Sequence, residues 1–221
     1  MTKEQLQELA RRELSDLGGK SGGILYTSHE NLKPGPVYLL GFNPGGDGGP
    51  SLRANIEEML DYTENSYSDE EYENRAGASH AGEAILQKRV RRLLTSIGLE
   101  TGDVCASNLI FVQSRDANGI EFRLAEQCWP VHQAILDLVR PKLIIAFGNG
   151  EQKSTYAYLR NLLEGEEDHP SPKAAGHGNW SLKGWKTRWR GQPMYVAGIP
   201  HMSRYDPANA PSIPAWLKSK L

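Results

Sequence analysis

The segment VYLLGFNPGG, residues 37–46, decides the fold class because it joins an apolar run directly to a polar turn. The run 37–42 predicts a buried β-strand. Pro44 and the glycines after it end the strand, since proline has no N–H to donate and glycine favours turns. The sequence therefore predicts that Asn43 stands at the carboxyl end of a buried strand.

Three further apolar runs have the same character: 104–111 (VCASNLIF), 142–147 (KLIIAF) and 194–199 (MYVAGI). Between the runs, apolar residues recur at helical spacing, in residues 85–97, 131–139 and 156–163. Strands that alternate with helices are typical of a parallel sheet covered on both faces. We therefore expect a three-layer α/β/α fold around a central four-stranded parallel sheet.

The length of 221 residues suits a single domain, residues 1–221, with a sizeable core. Two segments interrupt the alternation and are predicted to be loop insertions: the acidic residues 61–80 and the residues 164–193, which are rich in Gly, Pro, Trp and basic side chains. Long loops in a compact domain are often functional. The acidic segment would repel an anionic ligand, so we expect it to be solvated and away from any groove that binds one.

Composition restricts the class of protein further. The net charge is −2, and the two cysteines, Cys105 and Cys128, are too few for a four-thiolate metal site. No window approaches the roughly 20 apolar residues of a membrane span, and residues 1–14 predict a charged amphipathic helix rather than a signal peptide. We expect a cytoplasmic protein with reduced thiols that is not associated with a membrane.

Polar residues follow each predicted strand. In an open parallel sheet, ligands bind outside the carboxyl ends of the strands. Asn43 follows the first strand, Asn108 ends the second, Asn149 follows the third, and His201 follows the fourth. Asn43, Asn108 and His201 are thus predicted to meet at one crevice.

These residues resemble motifs of a known family. Gly41-Phe42-Asn43-Pro44-Gly45 resembles the GINPG motif of the uracil-DNA glycosylase superfamily, in the form of its mismatch-specific and single-strand-selective members. His201-Met202-Ser203 resembles the HPS motif, and Ser107-Asn108-Leu109 resembles the base-reading asparagine at the end of the second strand. His169-Pro170-Ser171-Pro172 is closer in letters to HPSP, but it follows a predicted helix rather than a strand, so we prefer His201.

The resemblance implies a monofunctional DNA glycosylase that hydrolyses the N-glycosidic bond of a flipped pyrimidine without a metal or an organic cofactor. It assigns water orientation to Asn43, stabilisation of the departing base to His201, and base recognition to Asn108, Phe42 and Gly45. Asn43 can orient water but cannot deprotonate it, because an amide does not ionise. DNA is the implied partner, and a monomer is expected. The residues alone also allow structural roles: Asn43 could support a turn, His201 could lie near a helix start, and Asn108 could join loops.

The substrate is left open by two departures from the family pattern. Gly45 stands where strict uracil enzymes carry a tyrosine, and no phenylalanine matches the ring that stacks on the base in relatives; Phe42, Tyr62 or Tyr67 are the candidate replacements. Both departures favour a base larger than uracil, or reduced activity on uracil itself. Two substrates are therefore possible. One is uracil or a mismatched base, excised in DNA repair. The other is a bulky modified cytosine of phage DNA, such as glucosylated hydroxymethylcytosine, excised in defence.

Two further segments are predicted to contact DNA. Tyr205 stands where relatives place the wedge that fills a vacated base stack, with Ser203 and Arg204 beside it. The segment NWSLKGWKTRWRG, residues 179–191, supplies the cations Lys183, Lys186, Arg188 and Arg190 among tryptophans. Tryptophans that anchor a long loop are the simpler alternative.

Two other classes of function remain. One is a member of the superfamily that binds DNA without cleaving it. The other is a nucleotide-binding enzyme that uses GGDGG, residues 45–49, as a phosphate loop, although this segment has neither GxGxxG nor GK[ST] spacing.

Overall fold

The structure is a computed structural model that describes residues 1–46, 48–74, 77–78, 80–116, 118–168, 181–207 and 210–221. Its strands are β1 (Val37–Gly41), β2 (Glu73–Asn74), β3 (Gly77–Ala78), β4 (Cys105–Asn108), β5 (Leu143–Phe147), β6 (Gly165–Glu167), β7 (Lys183–Trp189) and β8 (Gln192–Ile199). Its α-helices are α1 (Lys3–Glu13), α2 (Leu52–Glu58), α3 (Ile85–Ser96), α4 (Leu124–Val139), α5 (Thr155–Leu162) and α6 (Ser212–Lys218).

Six strands form one mixed sheet in the order β4-β1-β5-β8-β7-β6, while β2 and β3 pair separately. The neighbours β4-β1-β5-β8 are parallel, and they come from the four predicted runs. The expected four-stranded parallel sheet is nevertheless too small, because β7 and β6 extend it with antiparallel pairing. Residues 183–189 form a strand rather than the predicted loop. Their side chains alternate, with Trp185 and Thr187 buried and Lys186 and Arg188 exposed, as expected for a strand.

The order of the parallel strands creates a topological switch point. The chain leaves β1 toward β4 on one side, and it leaves β5 toward β8 on the other. The carboxyl ends of β1 and β5 therefore border a crevice from which the connections diverge, which is where ligands bind in open α/β sheets.

Both faces of the sheet are covered. Side chains of β1 alternate between two apolar clusters, with Tyr38 and Leu40 in one and Val37 and Leu39 in the other. The first cluster includes residues of α1, α2, α4 and α5, and the second includes residues of α3 and α6. This arrangement confirms an α/β fold of the three-layer α/β/α class.

The segment that precedes β2 packs against the body of the protein. Asn65, Ser66 and Tyr67 are buried, and the buried Gln87 of α3 donates its side-chain amide to Ser66 O at 2.7 Å and to Glu70 O at 2.8 Å. The expectation of a solvated acidic loop is wrong for this part of residues 61–80. The asparagine, serine and tyrosine residues between the acids were the sequence signal for burial, and the count of acidic residues obscured it.

No helix in the described part of the chain is long and apolar enough to cross a membrane. Cys105 and Cys128 are both buried and free, and burial raises the pKa of each thiol to about 12.

Candidate active site

Four neighbouring strands bring their polar and aromatic ends together in one row. Gly41 at the end of β1 is in register with Asn108 at the end of β4. A Cβ atom on Gly41 would lie 2.1 Å from Asn108 Oδ1 and 2.7 Å from Phe147 Cζ, distances that no real side chain tolerates. Glycine is therefore required at this position, because the amide of Asn108 and the ring of Phe147 meet over its Cα.

The row continues to His201. The rings of Phe147 and His201 are in edge contact, with centroids 5.3 Å apart and planes inclined at 60°. Gly148 N donates to Ile199 O at 2.9 Å, which ties the end of β5 to the end of β8. Across the sheet, the order is thus Asn108, Gly41, Phe147 and His201.

Asn43 lies two residues beyond Gly41, and its side chain is fixed by two hydrogen bonds. Its Nδ2 donates to Pro44 O at 2.8 Å and to Ser114 Oγ at 2.8 Å. Since both amide hydrogens are used, the hydrogen-bonding capacity that remains is that of Oδ1, which is an acceptor. Asn43 is thus arranged to accept a hydrogen bond from a water molecule or a ligand.

The orientation of this amide is set by Ser114, which the sequence analysis missed. The Ser114 hydroxyl donates to Asp116 O at 2.6 Å, so its lone pairs are available to Asn43 Nδ2. Ser114 N also donates to Pro44 O at 3.0 Å. No sequence pattern marks Ser114, because it lies in an irregular segment that reaches the first motif only through the fold.

The loop after β1 is also anchored by Gln113. Its Nε2 donates to Gly45 O at 2.8 Å, and its Oε1 accepts from Gly49 N at 3.2 Å. A Cβ atom on Gly45 would meet nothing within 4 Å. Gly45, predicted to widen the pocket, is exposed and borders open space.

His201 presents one ring nitrogen to its own turn. Nδ1 accepts from Ser203 N at 3.2 Å and lies 2.8 Å from Ser203 Oγ. Because Nδ1 accepts, the proton of the neutral imidazole is on Nε2, which is a donor. Burial, together with the positive charge of Arg204, lowers the pKa of His201 to about 4. The ring is therefore neutral at neutral pH and donates through Nε2.

Asn108 is buried, and Tyr26 lies beside it on the outer edge of β4. Tyr26 N donates to Ala106 O at 2.9 Å, which places Tyr26 along this strand. Burial raises the pKa of the Tyr26 phenol well above its usual range, and a hydrogen bond from the Asn108 side chain acts in the opposite direction. Asn108 Oδ1 faces the row of strand ends, because it lies over the Cα atom of Gly41. The Asn108 side chain also borders the Tyr26 phenol.

The acidic segment borders this edge of the site. The Tyr62 hydroxyl donates to Glu70 Oε1 at 2.7 Å and lies 2.9 Å from Ser66 Oγ. Ser66 N donates to Tyr26 O at 3.0 Å, so this segment lies next to the tyrosine that stands beside Asn108. The expectation that the acidic loop lies away from the site is wrong.

The ring at the row of strand ends is Phe147, which the sequence analysis did not name. Phe42 is buried and stacks on Phe122, with centroids 6.0 Å apart and planes inclined at 25°, and Tyr67 is buried in the opposite core. Neither of these two predicted rings lines the row in this structure. Phe147 is the last residue of the run KLIIAF, so the rule that ligands meet strand ends would have included it.

The turn after His201 divides into exposed and buried residues. Ser203 and Arg204 are exposed, as a DNA contact requires. Tyr205, predicted as a wedge, is only 2% exposed and packs in the same core cluster as Met202. The wedge assignment is therefore corrected: in this conformation the side chain that the turn offers to solvent is Arg204.

The predicted basic set does not form one surface. Lys183 lies at the site, where its Nζ donates to Asn149 O at 3.1 Å. Lys186 and Arg188 are exposed on β7, and Arg188 pairs with Pro193, about 20 Å along β8 from the carboxyl end. Arg190 lies beyond them in an ion pair with Asp137 at 2.7 Å. Only Lys183 of these four residues therefore lies beside the row of strand ends.

The tryptophans of the same segment are packing residues. Trp185 is fully buried in edge contact with Tyr156, and Trp189 Nε1 donates to Asp137 Oδ1 at 2.9 Å. The simpler alternative, in which these tryptophans anchor the chain, is the one that fits. Trp180 and the second histidine motif at His169 lie outside the described residues.

Among the residues that the structure describes, no three His, Cys, Asp or Glu side chains are grouped so that they could hold a metal ion. Comparison of the chain with models of known protein families gives no match, and comparison with curated proteins gives no significant match either.

Proposed function

We propose that this protein is a monofunctional DNA glycosylase that acts on a flipped pyrimidine nucleotide. The observation that carries the proposal is the placement of Asn43 and His201 on either side of Phe147, at the carboxyl ends of the parallel strands. β5 alone separates β1 from β8, so the two backbones are about 10 Å apart. A nucleotide over the end of β5 would therefore have the acceptor Asn43 on one side and the donor His201 on the other.

The proposed reaction needs those two groups in those two roles. The bond between C1′ of the sugar and the base nitrogen breaks, both electrons go to the base, and C1′ becomes cationic. The Nε2–H of His201 donates to the base carbonyl oxygen on which negative charge develops, and a fixed donor stabilises such charge without reorganisation. The neutral state of the ring supports this role, since Nε2 holds its proton throughout.

Asn43 supplies the other half of the reaction. Its Oδ1 accepts a hydrogen bond from a water molecule, which then forms a bond to C1′. The amide cannot take the proton of this water, so the proton is lost to solvent or to the departing base after the new bond forms. Asn108 Oδ1 accepts from an N–H group on the base edge, which both uracil and cytosine possess.

A second candidate substrate is favoured by one observation. A side chain at Gly45 would meet only open space, so the entrance beside Asn43 accommodates a substituent on the base. This opening favours a bulky modified cytosine, and excision of such a base from phage DNA would make the enzyme part of a defence system. A DNA-binding protein without activity is the alternative from another class.

The test is formation of abasic sites in labelled oligonucleotides that carry uracil, mismatched thymine, 5-hydroxymethylcytosine or its glucosylated form. We expect strand cleavage after alkali for at least one base, and loss of that cleavage in both Asn43→Ala and His201→Ala. Binding of the oligonucleotides with no cleavage across the set would favour the inactive DNA-binding protein. The absence of both binding and cleavage would reject DNA as the partner.

A further inference from the structure

A groove of about 290 Å³ lies on the other side of the loop that carries Asn43. The residues of this groove that matter for its chemistry are Lys20, Ser21, Gly46, Gly48, Ser114 and Arg115. We refer to it as the Lys20 groove. It lies outside the row of strand ends, and neither motif of the resemblance contributes Lys20 or Arg115.

The walls of the Lys20 groove are fixed to one another by backbone hydrogen bonds. Leu52 N donates to Lys20 O at 2.7 Å, Gly22 N donates to Pro50 O at 3.0 Å, and Gln113 N donates to Ser21 O at 2.8 Å. Three chain segments, before β1, after β1 and after β4, are thereby joined. The groove is a preformed surface, so a ligand would meet it without first ordering a loop.

The charge of the groove is positive. Lys20 and Arg115 are exposed cations, and the described residues that line the groove include no acid. Asp47 stands between the two glycines in the sequence and lies outside the described residues. A neighbouring cleft of about 440 Å³ that shares Lys20 is also lined by Glu121 and Glu126, so its charge is mixed.

The glycines suit a tetrahedral anion. Gly46 and Gly48 have φ of +89° and +82°, in the left-handed region, and neither has a Cβ atom that would keep a phosphate away from the backbone N–H groups. With the Ser21 hydroxyl and the two cations, the groove offers hydrogen-bond donors and positive charge together. Its open shape suits a phosphate that is part of a longer strand.

The groove is connected to the candidate active site through one residue. Ser114 lines the groove, and its Oγ accepts the hydrogen bond that orients Asn43. We propose that the Lys20 groove binds a backbone phosphate of the strand whose nucleotide enters the site. This inference rests on the proposed function for the identity of the ligand, and it assigns Lys20 and Arg115 to DNA binding in place of the distant Arg188 and Arg190.

The test is the salt dependence of binding to a labelled duplex that contains a tetrahydrofuran abasic site, between 50 and 200 mM salt. Each phosphate contact contributes about 0.9 to the slope of log K against log salt concentration. We expect the double variant Lys20→Ala, Arg115→Ala to bind at least tenfold more weakly at 100 mM salt, with a slope reduced by about 1. Arg188→Ala, an exposed arginine at the far end of the sheet, should leave both quantities unchanged.

An unchanged slope in the double variant would overturn the inference, as would an equal reduction in Arg188→Ala. Inorganic phosphate provides a further arm: displacement of the duplex by low millimolar phosphate in the wild type would show a site for free anions instead of a strand. The readout is binding, so it separates the two proposals. A reduced slope in the double variant, with no base release by the wild type, would reject the glycosylase proposal and support the Lys20 groove as a phosphate site. Base release by the wild type, with an unchanged slope in the double variant, would support the glycosylase proposal and reject the groove.

Discussion

The parallel and antiparallel parts of the sheet use similar residue types for different purposes. At the carboxyl ends of β4, β1, β5 and β8, single polar residues stand at or just after the end of the strand. Asn43 is fixed by the segment that follows β4, and His201 is fixed by its own turn. In the β7–β8 hairpin, aromatic and basic residues alternate along a strand, so the rings enter the core and the cations face solvent. Position relative to a strand end, more than residue type, therefore separates candidate site residues from packing residues.

The largest expected effect concerns the packing role of Trp185. We expect Trp185→Ala to lower the free energy of unfolding by about 3–5 kcal/mol, because a large buried side chain leaves a cavity. Trp185→Phe should cost less, since it keeps most of the packing and removes an indole N–H that has no hydrogen-bond partner in the described structure. Urea unfolding of both variants checks this prediction. A stable Trp185→Ala protein that binds DNA weakly would instead assign the ring to stacking on bases.

At the opposite part of the sheet, Ser114 should affect activity more than stability. Ser114→Ala removes one of the two acceptors of Asn43 Nδ2, so the amide is held only by its bond to Pro44 O and its orientation is less fixed. We expect base release in a single turnover to slow by about 10–100-fold, in the range seen when one positioning group is lost.

Ser96→Ala is the matched control, because the Ser96 hydroxyl donates to Leu93 O within α3, away from the site. Ser114→Thr, which retains a hydroxyl, should recover part of the rate. Equal rates in Ser114→Ala and Ser96→Ala would show that Ser114 does not orient Asn43 for base release.

A smaller effect is expected from Tyr26. Tyr26→Phe removes the phenol oxygen beside the Asn108 side chain and keeps the ring, so the amide of Asn108 loses a polar neighbour that helps to orient it. We expect the ratio of excision rates for two competing bases to change by about fivefold, which corresponds to about 1 kcal/mol for one hydrogen bond. A uniform loss for every base would indicate a structural role for the hydroxyl.

The smallest expected effect is in the pH dependence. Since the pKa of His201 is lowered to about 4, the ring is neutral at pH 8 and at pH 5, so kcat/KM should show no inflection from this residue in that range. The free energy of unfolding, in contrast, should depend on pH. An unfolded histidine takes up a proton near pH 6.5 and the folded one does not, so the free energy of unfolding decreases as pH falls from 6.5 toward 4. A loss of activity centred near pH 6.5 that is absent in His201→Gln would contradict the neutral ring.

The sequence was most informative where regular patterns end. The four apolar runs predicted the parallel strands, and Asn43, Asn108 and His201 were identified because each lies at or just after a strand end. The alternation in residues 183–189 was present in the sequence, but the concentration of tryptophans and cations drew attention to composition instead.

Other contacts could not be predicted because they join distant segments. Ser114 reaches Asn43 across 71 positions, and Gln87 reaches Ser66 across 21, and neither residue belongs to a periodic pattern that points to its partner. Tyr205 was assigned by its distance along the chain from His201, which does not determine whether a side chain enters the core.

The most direct test of the central claim compares the two parts of the sheet in one assay. Single-turnover base release is measured, on whichever base the wild type excises, for Asn43→Ala and for the double variant Lys186→Ala, Arg188→Ala. The account predicts a loss of at least 100-fold in Asn43→Ala and a change of less than twofold in the double variant. Activity retained by Asn43→Ala, together with a large loss in the double variant, would move the functional site from the strand ends to the hairpin.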